Sequence, residues 1–122
     1  MPVFTKTLES AQLKSDAQQM ASVLRMARQE AITSSQQKDV VFYPYYAKYK
    51  LGSKYYYLSS GTQFVGETNF DKKALKPTCS FLPSGALNGT LGGTVTLRNN
   101  QSMKYIIVDM AGRVRVSDEQ SK

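Results

Sequence analysis

The feature that most constrains the fold is a long amphipathic segment from Leu8 to Ile32. Its apolar residues recur at intervals of three and four, which is the spacing of one face of an α-helix. These residues are Leu13, Ala17, Met20, Leu24, Ala27 and Ala31. Lys14, Asp16 and Arg25 are among the polar residues of the opposite face. A narrow stripe rich in alanine suits close packing, so we expect this helix to lie against a sheet.

The remainder of the chain has the patterns of β-strands separated by turns. We predict a strand at Asp39–Tyr43, followed by a hairpin in which Tyr45–Leu51 pairs with Lys54–Ser59 around a glycine-containing turn. Residues 60–75 predict a loop with at most one short strand, because scattered apolar residues lie between glycine and asparagine residues. Cys79–Leu82 is a short apolar run that ends at a proline.

The last third of the chain has the clearest β pattern. Three runs with strand-like composition predict an antiparallel meander, namely Thr94–Arg98, Met103–Asp109 and Arg113–Val116. Residues 106–108 are all apolar, as expected for a central strand that is covered on both faces. Alternation along the last run directs Arg113 and Arg115 away from the core. Gly92 and Gly93 predict a turn before the first run.

Length and charge restrict the class of protein. We predict a single domain over residues 1–122, with a helix over about 5–36 and a β-rich region over about 39–117. The formal net charge of +7 favours polyanionic partners such as nucleic acid or anionic lipid, although such a charge also serves solubility. No stretch reaches the roughly 18 apolar residues of a membrane span, and no signal peptide is visible, so the sequence predicts a soluble chain.

The residue types needed for catalysis or metal binding are scarce. The chain has no histidine, the commonest general base and metal ligand, and a single cysteine. Cys79 lies in an apolar run, so we expect a buried thiol. Tyr46 and Lys50 have the Tyr-x-x-x-Lys spacing of some dehydrogenases, but that motif works on a helix and this segment predicts a strand. We therefore predict no enzymatic activity, no cofactor, no metal site and no small-molecule substrate.

Two arginines near the C-terminus form the first candidate binding site. Arg113 and Arg115 alternate along a predicted strand, so their side chains emerge on one face about 6 to 7 Å apart. Forked guanidinium groups at this spacing can bind the phosphates of an extended nucleic acid strand. Charged side chains on an edge strand also prevent the addition of a further strand, and that role requires no ligand. The residues alone leave both roles open.

The second candidate is the segment from Tyr43 to Tyr57. Here Lys48, Lys50 and Lys54 are interleaved with seven tyrosines. The bases of single-stranded nucleic acid stack on aromatic side chains that lie beside basic ones. A tyrosine-rich hairpin can equally be a half-buried β surface without a ligand, and this is the more common case.

Several stretches together resemble one protein family. The helix contains DAQQMA followed by SVLRMARQEAI, a turn at Ser84 and Gly85 interrupts the β-rich part, and IIVDMAGRVRV stands near the C-terminus. These stretches are similar to the GspH/FimT family of minor pseudopilins of type II secretion systems and minor pilins of type IV pili. The resemblance covers nearly the whole chain. It implies an α+β, type IV pilin-like fold, with a long N-terminal helix packed on an antiparallel β-sheet that ends in a β-meander.

The resemblance also implies a location and partners. Members of this family carry a short leader and an apolar N-terminal half-helix, which anchors the subunit in the bacterial cytoplasmic membrane and packs it into a filament. We expect the present sequence to be the part that follows this anchor. It would lie in the periplasm or outside the cell, assembled into a pilus or pseudopilus with other pilin or pseudopilin subunits. Its role would be structural and not enzymatic.

In some relatives a Gly-Arg-x-Arg element near the C-terminus binds DNA during natural transformation. The resemblance assigns Gly112 to the turn and Arg113 and Arg115 to phosphate contacts, and the predicted strand pairing adds Lys104 and Arg98 as neighbours. The predicted function is a minor pilin of a type IV pilus or competence pseudopilus that binds DNA without sequence specificity during DNA uptake. The alternative is a minor pseudopilin that acts in type II protein export, where its basic face meets acidic neighbouring subunits and DNA has no role.

Overall fold

The helix predicted from the apolar periodicity is the longest element of the structure. The computed structural model describes residues 2–65, 72–73, 76–88, 92–100 and 102–118. Helix α1 spans Pro2–Ser34. It ends where Ser35 adopts a left-handed backbone conformation with φ of 55°. Among the described residues, no helix has an apolar stretch long enough to cross a lipid bilayer.

The apolar face of α1 forms one side of the hydrophobic core. All six residues that periodicity assigns to this face are fully buried. Ala21 and Val23 are buried as well, so the packed face is wider than the predicted stripe. Each large apolar side chain stabilises the fold by about 1.5–3 kcal/mol when it is buried. The buried alanines contribute less area, but they allow the helix backbone to approach the strands closely.

The predicted position of Asp16 on the polar face of the helix is wrong. Asp16 is buried, and its carboxylate accepts hydrogen bonds from the backbone N–H and the hydroxyl of Ser59, at 3.0 and 2.9 Å. A buried carboxylate is tolerated only when hydrogen-bond donors surround it, and Ser59 supplies two. Helical periodicity could not reveal this contact because the donors belong to a distant loop.

The described chain contains nine strands. In order they are β1 (Lys38–Tyr43), β2 (Lys48–Leu51), β3 (Lys54–Tyr57), β4 (Gln63–Phe64), β5 (Lys72–Lys73), β6 (Lys76–Phe81), β7 (Gly92–Arg98), β8 (Met103–Asp109) and β9 (Val114–Ser117). They form a first sheet of order β3-β2-β1-β6-β5 and a second sheet of order β4-β7-β8-β9. All pairings are antiparallel. The predicted α+β class is confirmed, but the helix packs on two sheets instead of one.

The first arm of the predicted hairpin begins later than expected. Residues Pro44–Tyr46 form a short 3-10 helix, and Ala47 follows in a left-handed conformation with φ of 52°. Proline fixes its own φ and has no N–H for a ladder, so the chain leaves the sheet at Pro44 and returns at Lys48. The second arm ends at Tyr57 instead of Ser59. The backbone N–H of Ser59 donates a hydrogen bond to the Asp16 carboxylate on α1 and not to a neighbouring strand.

The predicted C-terminal meander is confirmed by β7, β8 and β9. Ile106 and Val108 belong to the core beside α1, whereas the buried Ile107 projects from the opposite face of the sheet. The predicted turn at Gly92 and Gly93 is wrong, because both residues belong to β7 and pair with β8. Gly92 has φ of 130°, and a Cβ atom there would lie 2.8 Å from the carbonyl oxygen of Val108.

Two short strands occur in the region predicted to be a loop with at most one. Strand β4 extends the second sheet by pairing with β7, and β5 extends the first sheet by pairing with β6. Residues 66–71 and 74–75 of the predicted loop lie outside the described residues. The apolar run at Cys79–Leu82 falls mainly within β6.

Candidate nucleic-acid interface

Arg115 lies on the outermost strand of the second sheet, and Arg113 lies immediately before that strand, which begins one residue later than predicted. β9 is the last strand of that sheet and pairs only with β8 among the described strands. Arg115 lies opposite Ile107, and Ile107 lies opposite Thr94. Residues directly opposed across a ladder project to the same side. Arg115 therefore projects from the face that turns away from α1, as alternation predicts, and both arginines are exposed.

Asp109 at the end of β8 constrains Arg113. Its carboxylate accepts hydrogen bonds from the backbone N–H of Arg113 at 3.0 Å and from the guanidinium Nε–H at 3.1 Å. The donated backbone N–H, helped by the guanidinium charge, holds the pKa of the Asp109 carboxyl below its ordinary value. Ion pairs between exposed side chains stabilise a protein by about 1 kcal/mol or less. An incoming phosphate can therefore compete with Asp109 for this guanidinium.

Arg25 on α1 is a third arginine at this edge, and the sequence patterns do not identify it as part of the site. Its Nη2 donates a hydrogen bond to the backbone oxygen of Val114 at 2.8 Å. Arg25 and Arg115 line a surface depression of about 530 Å³ between α1 and β9, together with Gln18 and Ser22. None of the residues lining it is acidic. Helical periodicity indicates only that Arg25 is exposed, because its neighbour Arg115 is distant in sequence.

Gly112 is buried inside the protein and positions the two arginines that follow it. It has φ of 91°, and a Cβ atom there would lie 1.9 Å from the carbonyl oxygen of Gly85. Arg28 on α1 donates its Nε–H to the same oxygen at 3.0 Å. The Gly112 N–H closes the β8–β9 turn by donating to the backbone oxygen of Asp109 at 2.9 Å. The turn is thus docked on Gly85 and Arg28, which explains why it needs glycine.

Neither Lys104 nor Arg98 lies beside Arg113 and Arg115. Lys104 lies opposite the core residue Leu97, so it projects toward the helix side of the sheet, where it forms an ion pair with Asp118. Arg98 is exposed at the far end of β7, on the same face as Arg115 but roughly 17 Å from it by the usual spacing of strands and residues. The predicted proximity of Lys104 to the two arginines is wrong, because Lys104 and Arg115 project from opposite faces of the sheet.

A second basic surface covers the outer face of the first sheet. We define the tyrosine-lysine face as Tyr43, Lys48, Lys50, Tyr55 and Tyr57 of β1 to β3, with Tyr46 of the 3-10 helix. Tyr43, Lys48 and Tyr57 lie opposite one another in one cross-strand row. The Nζ of Lys48 lies 4.6, 5.3 and 5.6 Å from the ring centroids of Tyr55, Tyr43 and Tyr46. These distances are within the range of cation–π contacts.

Cys79 is buried in the core, as predicted. Burial, helped by the negative charge of Asp39, raises the pKa of the thiol far above its ordinary value. The thiol is therefore protonated at neutral pH and acts as a small apolar side chain. Among the described residues, no group of three or more histidine, cysteine, aspartate or glutamate side chains is placed to hold a metal ion.

Comparison with protein families identifies a match over most of the chain. The family model of the type II transport protein GspH matches residues 16–112, which is well over half of the chain. The matched range includes Gly112 but ends before Arg113 and Arg115. No curated protein matches the chain.

Solved structures of two bacterial proteins are among those that share the fold. The type IV minor pilin FimU of Pseudomonas aeruginosa strain PAO1 has a TM-score of 0.70 at 15% identity, over 92% of this chain and 91% of FimU. The minor pseudopilin EpsH from the type 2 secretion system of Vibrio cholerae has a TM-score of 0.71 at 16% identity, over 88% of this chain and 97% of EpsH. The chain belongs to the GspH family of type II transport proteins, and its fold is that of the minor pilins and minor pseudopilins.

Proposed function

We propose that this chain is a non-enzymatic minor subunit of a type IV pilus or a related competence pseudopilus, and that it binds DNA without sequence specificity. Membership of the GspH family and the pilin fold support the role of a filament subunit. The observation that carries the DNA-binding part is that three exposed arginines, Arg25, Arg113 and Arg115, lie along the β9 edge of the second sheet.

The arrangement suits phosphate groups. Residues two apart in an extended segment are about 7 Å apart. Arg113, just before β9, and Arg115, within it, border one depression beside Ile107, so each can bind a different phosphate of one backbone. Arg25 lies on the α1 side of β9 and Arg115 projects from the opposite face, and both residues border the depression between α1 and β9, so a nucleic-acid backbone that follows this edge would pass both. Arg25 uses one of its five N–H donors for Val114, and this bond holds its guanidinium beside β9. Phosphate contacts carry no base information, so the binding would be independent of sequence.

The proposal includes a place at the cell envelope. The chain would follow an apolar helix that anchors it in the cytoplasmic membrane, and it would assemble with other pilin or pseudopilin subunits in the periplasm or outside the cell. The family resemblance supports this part of the proposal. The arginine edge would then have to remain accessible in the assembled filament.

The test is a salt-dependent titration of labelled duplex DNA. Arg113→Ala combined with Arg115→Ala removes two phosphate contacts, so binding should weaken and the slope of log K against log salt should become shallower by roughly 2. Adding Arg25→Ala should make the slope of log K against log salt shallower by about one more unit. The control is Lys14→Ala with Lys104→Ala, which removes the same charge from other surfaces. Equal losses in the control and in the arginine variant, or an unchanged curve in the latter, would refute the assignment of this edge.

A gain-of-affinity variant tests the competition between Asp109 and phosphate. Asp109→Asn keeps an oxygen that can accept the N–H of Arg113 but removes the charge that neutralises its guanidinium. We expect duplex DNA to bind about two- to fivefold more tightly, which corresponds to the weak energy of an exposed ion pair. Weaker binding by this variant would contradict a phosphate contact at Arg113.

A role in protein export without DNA is the second candidate. The ion pair between Arg113 and Asp109 supports this candidate, because carboxylates of a neighbouring subunit could bind the arginines of this edge in the same way. The two candidates separate when the arginine double variant replaces the native gene in the cell. Loss of DNA uptake with intact filaments and protein export supports the DNA proposal. Loss of export with normal DNA uptake supports the second candidate and contradicts the first.

A further inference from the structure

We infer that the tyrosine-lysine face binds single-stranded nucleic acid by stacking unpaired bases on its tyrosine rings. This surface belongs to the first sheet, whereas the arginine edge belongs to the second. The inference goes beyond the proposed function and does not depend on it.

The face exposes more aromatic surface than the fold requires. Tyr46, Tyr57 and Tyr55 are 72, 64 and 41% exposed. A single exposed ring is ordinary, but three exposed rings on one face form a patch of the kind that marks a binding surface. Tyr49 and Tyr56 of the same hairpin instead lie on the core side. The hairpin thus has more tyrosines than its packing uses.

The face is positively charged around these rings. Besides the contacts of Lys48, the Nζ of Lys50 lies 5.7 Å from the ring centroid of Tyr55. The tyrosine rings hold these ammonium groups in place and leave them partly exposed. Among the described residues of β1 to β3, the one acidic residue is Asp39, which borders the same depression as Lys50 but is roughly 13 Å along β1 from Tyr43. The partner that complements this charge is an anion.

The spacing of the rings favours separated bases over a duplex. The ring centroids of Tyr43 and Tyr55 are 6.0 Å apart with the rings tilted by 49°, so these two rings contact each other. Tyr57 projects from the same side of β3 as Tyr55, about 7 Å along the strand, and is two strands, or about 10 Å, from Tyr43. Base pairs of duplex DNA are stacked about 3.4 Å apart, so their faces are covered. An extended single strand exposes its base faces at wider spacing and carries its phosphates past the lysines. An acidic protein or an anionic lipid surface would satisfy the lysines but not the rings.

The test measures the fluorescence anisotropy of a labelled oligothymidylate. Wild-type protein and the Arg113→Ala, Arg115→Ala variant are both titrated, because the variant removes the arginine edge. In that background, Tyr46→Ala and Tyr57→Ala should each weaken binding at least about fivefold, the loss expected for one base stack. Tyr46→Phe and Tyr57→Phe keep the rings and should retain binding. These side chains are largely exposed, so urea unfolding curves should stay unchanged.

Inorganic polyphosphate is the second probe, because it carries the charge of a nucleic acid without bases. Lys48→Ala should weaken binding of both probes, whereas the tyrosine-to-alanine variants should weaken binding of the oligonucleotide only. Equal effects on both probes would overturn base stacking, and so would tyrosine variants that bind the oligonucleotide normally. Loss of all oligonucleotide binding on removal of the two arginines would also refute this surface, yet it would leave the proposed duplex contacts intact.

Discussion

Replacement of Gly112 by alanine tests whether the contact between two glycine turns holds the β8–β9 turn in place. The new Cβ atom would lie 1.9 Å from the carbonyl oxygen of Gly85, a separation that real Cβ atoms do not show. Neither atom can rotate away, because one is fixed by the backbone of its own residue and the other belongs to a peptide group. The two turns must therefore move apart.

The expected cost combines three terms. An L-residue in the left-handed region costs about 1–2 kcal/mol. Separation of the turns breaks the hydrogen bond from the charged Arg28 side chain to Gly85, worth about 1.5–3 kcal/mol. It also strains the hydrogen bond that the Leu87 N–H donates to the carbonyl oxygen of Met110, which is worth about 1 kcal/mol. The free energy of unfolding should fall by about 3 to 6 kcal/mol, a large part of the usual 5–15 kcal/mol for a domain.

Urea unfolding provides the assay, and Gly61→Ala provides the matched control. Gly61 has the same φ of 91°, but a Cβ atom there would meet nothing within 4 Å. The control should lose only the conformational term, so the two variants should differ by about 2–4 kcal/mol. Gly112→Ala should also cost less in an Arg28→Ala background, where the hydrogen bond is already absent. Variants at Gly112 and Gly61 that unfold at the same urea concentration would refute the docking role of this contact.

Three further predictions concern buried and paired groups. Asp16→Ala leaves the Ser59 N–H without its acceptor and should lower the free energy of unfolding by about 1.5–3 kcal/mol in urea titrations, with a smaller loss for Asp16→Asn; equal stability of wild type and Asp16→Ala would contradict this. The Cys79 thiol should react with iodoacetamide at pH 8 far more slowly in the native protein than in urea, since burial raises its pKa; equal rates would place it at the surface. Because the pKa of Asp109 is lowered, its stabilising contribution is present above pH 4 or so and is lost as pH falls through that lowered pKa. Acid unfolding of Asp109→Asn should therefore be less steep over that window, and an identical profile would contradict the pairing with Arg113.

The elements that could be predicted from the sequence are those in which buried residues recur at the regular interval of a helix or a strand. The apolar stripe of α1 and the alternation within β7, β8 and β9 are local patterns, and the structure confirms them. The errors arose where a contact from a distant element, or an isolated backbone restriction, outweighed the pattern. Asp16 is buried because Ser59 provides its donors, and the hairpin is shortened because Pro44 turns the chain out of the sheet.

The candidate sites likewise combine features that local sequence patterns predict with contacts that only the folded chain creates. The amino-acid order alone determined that Arg113 and Arg115 share one face and that tyrosines alternate with lysines between Tyr43 and Tyr57. Only the tertiary structure decided that Arg25 lies beside β9 and that Lys104 projects from the face opposite to that of Arg115. It also decided that Gly112 rests against Gly85. The physical reason is that alternation depends on backbone geometry within one strand, whereas these contacts depend on how α1 packs against strands that come much later in the chain.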